Sequence, residues 1–324
     1  MAEDLLKVFR EAETPHVVLT MGKGGVGKTT FSILLGALLA GSGRKVLVAS
    51  LDQAMHLEEY LGLSGRNRVE RVDSNLYAMQ VDIGREVRRL GQSYSTLLSQ
   101  LMPGLKVINV ESVVEMIKHA PGFEEEAYLR ELARLYALKD FDYIVVDTPP
   151  TGLTFRILSL PSLYSFWLDR LLELRERIVS LRYVIARTAG IEREMDDPVL
   201  RKLEEQKTLF DELLERMKSQ AKTTGAIVAT PEPLPVYEAL KTLEFLGRMG
   251  LPAKIIVANR VLPESLASMM GVSEVQEENL KKLLSAKCPG RCVKLLIPQS
   301  PKTPHSLEAV KDLIGSLKIV VEGV

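Results

Sequence analysis

Short apolar, β-branched runs alternate along the chain with longer segments whose apolar residues recur every three to four positions. Residues 16–21, 45–50, 76–81, 143–147, 226–230, 254–258 and 293–297 have the length and continuity of strands buried on both faces. Strands of this kind separated by helical spacing predict an α/β protein: a doubly wound, mainly parallel sheet with helices on its faces. Strand signals vanish between residues 83 and 139 and again between 162 and 222. In the second stretch Leu163, Trp167, Leu171, Leu174, Ile178 and Leu181 form one helical stripe, and Leu209, Leu213 and Met217 another. The division that follows is a nucleotide-binding core of residues 1–82, 140–161 and 223–324. It carries a helical subdomain inserted as 83–139 and 162–222, whose two parts pack on each other. Pro121-Gly122 and Asp196-Asp197-Pro198 interrupt helices, and the run 317–324 looks like a strand.

Composition narrows the class. Of 324 residues 46% are apolar and 26% charged, which excludes a disordered chain. Forty-two basic side chains balance 42 acidic ones, so no global field draws in a phosphate backbone, and no basic stripe supplies one locally; nucleic acid is not an expected partner. The most apolar stretch, 31–40, is far too short to span a bilayer, and the acidic start (Glu3, Asp4, Glu11, Glu13) is unlike a signal peptide. Two cysteines, Cys288 and Cys292, are too few for a secreted disulfide framework. A cytoplasmic protein is expected, peripheral to a membrane at most.

Chemistry enters directly after the first strand. Gly22-Lys23-Gly24-Gly25-Val26-Gly27-Lys28-Thr29-Thr30 is a complete phosphate-binding loop followed by a helical run. Its glycines let successive N–H groups face a phosphate, and the helix N-terminus adds a favourable dipole. Lys28 is expected on the β- and γ-phosphates of ATP, or the β-phosphate of ADP, and Thr29 on Mg²⁺. Lys23 is either a solvent-facing side chain or a cation that reaches a phosphate across a dimer interface. Asp147, ending the strand run 143–147, is placed to hold the magnesium ion through water. Asp52, after the second strand, is placed to orient the attacking water.

The segment from Lys23 to Thr30 resembles the deviant Walker A loop of the dimeric ATPases that include the signal-recognition, MinD and BioD proteins. Within that class, the run from Asp147 through Pro150-Thr151-Gly152 to Pro161 resembles the arsenite-pump and tail-anchored-protein targeting ATPases. The segment Pro121-Gly-Phe-Glu-Glu-Glu-Ala127 and the strand end Ala258-Asn259 resemble theirs as well. The resemblance implies phosphate contacts from Lys23 to Thr30, a first switch at Asp52, and a second switch at Asp147, Pro150, Thr151 and Gly152. It also implies Asn259 on the adenine, with Pro298 flanking the base. Three departures stand out. The first switch reads Asp52-Gln53-Ala54-Met55-His56 where the family has Asp-Pro-Ala-His, Leu153 replaces a histidine in the second switch, and the family's zinc-binding Cys-x-x-Cys has no counterpart at Ser268-Met269-Met270. For Cys288 and Cys292, zinc shared between subunits is the less favoured reading beside structural thiols or a local disulfide. The histidines, His16, His56, His119 and His305, are scattered. Met102, Met116, Met195 and Met217, with Leu98, Leu101, Leu105, Ile117 and Leu181, either fill a core or line a deformable groove.

The function expected from these features is a homodimeric Mg-ATPase that captures and releases the hydrophobic transmembrane helix of tail-anchored client proteins and delivers it to a membrane receptor. The alternatives are an arsenite- or antimonite-stimulated ATPase of an efflux pump, disfavoured by the absence of cysteines from the helical part, and a MinD- or ParA-like positioning ATPase. A kinase or synthetase on the same fold is a further possibility on fold grounds alone.

Overall fold

The structure is a computed structural model that describes residues 5–54, 56–101, 122–188, 197–288, 292–301 and 303–320. Its strands in chain order are β1 (His16–Met21), β2 (Val46–Ser50), β3 (Glu70–Asp73), β4 (Leu76–Gln80), β5 (Tyr143–Asp147), β6 (Thr223–Ala229), β7 (Ala253–Val261), β8 (Val293–Pro298) and β9 (Lys318–Val320). They form one sheet in the order β3-β4-β2-β5-β1-β6-β7-β8-β9. The seven strands from β4 to β8 are parallel, and only the edge strands β3 and β9 run antiparallel. The α/β, mainly parallel sheet anticipated from the apolar runs is the one observed. β3 was not anticipated: its sequence Glu-Arg-Val-Asp is partly exposed at an edge and has no apolar run to detect.

The helices are α1 (Lys28–Gly41), α2 (His56–Leu61), α3 (Ile83–Leu101), α4 (Phe123–Tyr136), α5 (Thr151–Thr188), α6 (Pro198–Lys218), α7 (Pro233–Met249), α8 (Glu264–Met269), α9 (Ser273–Leu284) and α10 (Leu307–Asp312). Alternation along β1 sends Val18 to one face and Val17, Leu19 and Met21 to the other. Val18 joins a cluster with α1, including Phe31, Leu34 and Leu38. The opposite face shares one continuous cluster with α4, α5, α6 and α7, including Tyr128, Leu132, Leu158, Phe210 and Val236. Helix α5 packs along α6, and α4 contacts α3, α5 and α6. The start of α6 follows from its sequence: Asp197 caps it by accepting from the N–H groups of Val199 and Leu200, both at 3.0 Å, and Pro198 occupies its first turn.

Several side chains considered for a groove resolve differently. Met217 is fully buried in the sheet-facing core rather than lining a groove, and Leu181 is exposed. Met55, Met102, Leu105, Met116, Ile117, His119, Pro121 and Met195 lie outside the described residues, as do the side chains of Leu98 and Leu101.

His16 is buried at the start of β1. Its Nδ1 lies 2.7 Å from the Ala221 carbonyl and its Nε2 2.9 Å from the Thr224 hydroxyl, and burial lowers its pKa from 6.5 to about 4. Between those two values the unfolded chain binds a proton that the folded chain refuses. Stability therefore falls as pH drops through this window, by about 3 kcal/mol once both limits are passed. The urea midpoint should decline between pH 7 and pH 5 more steeply for the parent than for His16→Gln; parallel profiles would exclude His16 as the cause.

Candidate active site

The chain moves from β1 out to β2, β4 and β3 on one side, returns as β5, and then crosses β1 to β6, β7 and β8 on the other. The carboxyl ends of β5, β1 and β6 therefore flank the point where the winding reverses, which is where open α/β sheets bind ligands. Register does the fine placement: Thr20 of β1 and Ser50 of β2 both pair with Asp147 of β5.

The loop from Gly22 to Gly27 is shaped by close approaches. A Cβ on Gly22 would stand 2.2 Å from the Val228 carbonyl oxygen of β6, so only glycine lets the loop leave β1 this close to the neighbouring strand. Gly27 precedes α1 with φ of 93°, and a Cβ there would meet Asn259 Nδ2 at 2.3 Å. That same Nδ2 donates to the Val26 carbonyl at 2.8 Å, clamping the loop to β7. At Gly24 and Gly25 a side chain would meet nothing within 4 Å, so the crest of the loop is open. Gly27→Ala adds about 1–2 kcal/mol of left-handed backbone strain and displaces the Asn259 clamp, so ATP should bind about tenfold more weakly in a fluorescent-nucleotide titration. Unchanged affinity would show the clamp to be dispensable.

Behind the loop lies a buried polar cluster. The Thr29 hydroxyl donates to Asp147 Oδ2 at 2.7 Å and the Ser50 hydroxyl to the same oxygen at 3.1 Å, while Asp147 Oδ1 is buried with no hydrogen-bond partner. Burial pushes the Asp147 carboxyl up to about 6; the Thr29 hydrogen bond and the Lys28 charge oppose this, and the Asp52 charge adds to it. Lys28 is 6% exposed and its Nζ donates to the Lys23 carbonyl at 3.5 Å. Lys23 is half-buried, and no carboxylate pairs with it among the described residues. Thr30 stands 3.4 Å from the Tyr60 hydroxyl. Asp52 follows β2, accepts from its own Ala54 N–H at 3.1 Å, and is held by Gln80, whose Nε2 donates to the Asp52 carbonyl at 3.0 Å.

The second segment leaves β5 and runs straight into α5. Thr148 donates to the Thr20 carbonyl at 2.8 Å and Thr154 to the Pro149 carbonyl at 2.7 Å, while Pro150 and Gly152 are exposed and Thr151 is buried. Leu153, where the family resemblance implies histidine, packs against the core. Asn259 lies within β7 rather than at its end, because β7 continues to Val261. The β7–β8 register shifts between Ala258 and Val261, and Arg260 takes φ of 58°. Pro298, which pairs with Val261, sits on the adjacent strand. The structure thus gathers Lys28, Thr29, Asp147 and Asn259 around the loop. Ser50 and Gln80, which support them, were not singled out from the sequence; a shared rung between distant strands leaves no local signal.

Cys288 and Cys292 are joined to each other as a disulfide, the local pairing weighed beside zinc and structural thiols. Among the described residues no group of three or more His, Cys, Asp or Glu is arranged to hold a metal ion.

A second feature lies among α3, α4, α5 and α6: a cavity of about 720 Å³. Leu90, Trp167, Leu171, Leu203 and Phe210 contribute its apolar wall. Its polar side is internally satisfied. Glu126 accepts from the Tyr94 hydroxyl at 3.1 Å and from Arg130 Nε at 2.9 Å, and Arg130 also donates to Gln206. Outside the cavity, α5 exposes Leu163, Phe166 and Leu174, each about half exposed. No described helix is long and apolar enough to cross a membrane.

The sequence pattern of the family described as anion-transporting ATPase matches residues 15–293. The chain belongs to that family. Like the other anion-transporting ATPases it is an ATPase and binds nucleotide, on the P-loop fold described above. It is similar to the putative arsenical pump-driving ATPase 2 of Aquifex aeolicus, 27% identical over 266 residues that cover 81% of this chain and 86% of that protein. It is also similar to ATPase GET3A of Arabidopsis thaliana, 31% identical over 269 residues, covering 81% and 72%. ATPase ASNA1 homolog 2 of Paramecium tetraurelia is 28% identical over 291 residues, covering 87% of each.

Proposed function

We propose that this anion-transporting ATPase works as a Mg-dependent homodimer that captures hydrophobic transmembrane segments of tail-anchored proteins and releases them on hydrolysis. The observation that carries the proposal is the apolar cavity among α3–α6, built on α5, which runs on from β5 at the phosphate site, and on α4, whose first turn meets the Asp52 loop. The helical segments 83–139 and 162–222 would act as the client-binding subdomain on a nucleotide-binding core of 1–82, 140–161 and 223–324. Phe166, Trp167, Leu171 and Leu174 extend the apolar surface along α5, as a helical client requires.

In the reaction, the backbone from Lys23 to Thr30 cradles the phosphates and Lys28 neutralises them. Thr29 and Asp147 fit a divalent cation: a hydroxyl stands beside a carboxylate whose Oδ1 is buried without a donor, and both are hard oxygen ligands. Magnesium, when bound there, would offset phosphate charge. Asp52 orients and polarises the attacking water, and Lys23 reaches the phosphates of the partner copy. Asn259 and Pro298 border the adenine. Pro150, Thr151 and Gly152 carry the nucleotide state into α5, and delivery would involve a membrane receptor at a cytoplasmic membrane face. With both cysteine sulfurs of the chain bonded to each other, thiol capture of arsenite is not favoured.

The test is co-expression with a tail-anchor segment. A soluble complex should form and be discharged by ATP turnover, and in Asp52→Asn it should persist, because that variant should bind ATP with turnover about a hundredfold slower. A segment that stays aggregated beside an active ATPase would refute capture, and Asp52→Asn turnover equal to the parent's would refute the role of Asp52.

A further inference from the structure

Gln53 stands where the family resemblance implies proline, and the structure gives it a partner that proline could not take. Its Nε2 donates to Glu124 Oε1, on the first turn of α4, at 2.8 Å. One turn further along α4 stands Tyr128, 1% exposed. The peptide that carries Asp52 is thus held from two sides: from the sheet by Gln80, which grips the Asp52 carbonyl, and from the helical layer by Gln53. The second segment behaves alike. Arg156 of α5, a little over one turn beyond Thr151, pairs with Glu125 at 2.7 Å. Adjacent residues of one helical turn therefore receive one contact from each of the two segments that flank Asp147. The next carboxylate, Glu126, faces the other way and takes Tyr94 and Arg130 at the cavity wall.

We propose that Gln53 is a positioning residue for ATP hydrolysis: by fastening the Asp52 loop to Glu124 it sets where the Asp52 carboxylate stands, and it makes turnover responsive to movement of α4. The inference rests on the reading of Asp52 given above. An amide is the side chain this place requires. It donates to the Glu124 carboxylate, whereas a glutamate would set two carboxylates face to face and break the contact. The Gln53–Glu124 contact is exposed, so it adds little to global stability, and its effect falls on the local geometry of the loop.

Moving the carboxylate across the contact tests this. Gln53→Glu should lower kcat about tenfold while leaving KM for ATP and the thermal midpoint near those of the parent. The double variant Gln53→Glu with Glu124→Gln rebuilds one amide–carboxylate hydrogen bond in the opposite sense, and its kcat should return to within about threefold of the parent. A double variant no faster than Gln53→Glu alone would overturn the proposal, as would a Gln53→Glu enzyme with the parent kcat beside a slow Asp52→Asn. An Asp52→Asn enzyme with the parent kcat would mark failure of the underlying reading of Asp52, and the positioning role would fall with it.

Discussion

Lys28→Ala will lose ATP hydrolysis by a factor of about a thousand or more, together with measurable ATP binding, while the protein stays folded. The physical ground is the position of the ammonium. Lys28 is almost entirely buried in the first turn of α1, and its Nζ reaches one main-chain oxygen, the Lys23 carbonyl, at 3.5 Å. A cation held so loosely at the mouth of a loop of N–H groups is poised for a stronger anion, and removing it leaves the triphosphate charge opposed by backbone dipoles alone. Alanine favours the helix, so the fold should survive. The change also removes one of the influences that lower the Asp147 pKa, so that carboxyl should be harder to ionise in the variant. Phosphate release and nucleotide titration, read beside a thermal melt, decide the matter. Turnover at the parent rate in a folded Lys28→Ala protein would displace this loop from the centre of catalysis.

The second large effect is expected at the cavity. Leu171→Glu places a carboxylate on the apolar wall that Leu171 shares with Phe210 and Leu203; of the two cations lining the cavity, Arg130 is engaged by Glu126 and Gln206, and Lys202 pairs with Glu205 at 3.5 Å. In the free protein Leu171 is 44% exposed, so the new charge remains hydrated and folding should be little affected. A bound apolar helix would cover it, and desolvating an unpaired carboxylate costs several kcal/mol. Capture of a tail-anchor segment should therefore fall by about a hundredfold or more in a pull-down titration. Capture equal to the parent's would move the client surface away from this wall.

These two sites differ in how far the sequence exposed them. The phosphate loop was legible residue by residue because its requirements are local: glycines where backbone curls, a lysine, a hydroxyl and a following helix, all within nine positions. The strands β1 and β5 were legible to the residue because a strand buried on both faces is a continuous apolar run. The edge strand β3, polar and partly exposed, carried no such mark. The cavity was legible only as two helical stretches. Met217 belongs to the core; of the wall, Trp167 and Leu171 lie on the helical stripe read from the sequence, whereas Leu90, Leu203 and Phe210 are not separated by helical spacing alone from buried positions.

The amino-acid order by itself determined the alternation of buried strands and amphipathic helices, hence the α/β class, and the phosphate chemistry after β1, because both depend on neighbours within a few residues. It also contained every glycine, hydroxyl and carboxylate of the site. Which of them meet was decided by the tertiary structure. Ser50, Asp147 and Thr29 converge because β2 and β5 pair in one register beside the helix that follows β1. Asn259 reaches the Val26 carbonyl, 233 positions earlier, at a register shift near the end of β7. Gln53 finds Glu124 because the sheet carries the Asp52 loop to the foot of α4. Contacts between residues so far apart in the chain depend on strand order and register. Those are set by the packing of the whole sheet and its helices, and no short segment encodes them.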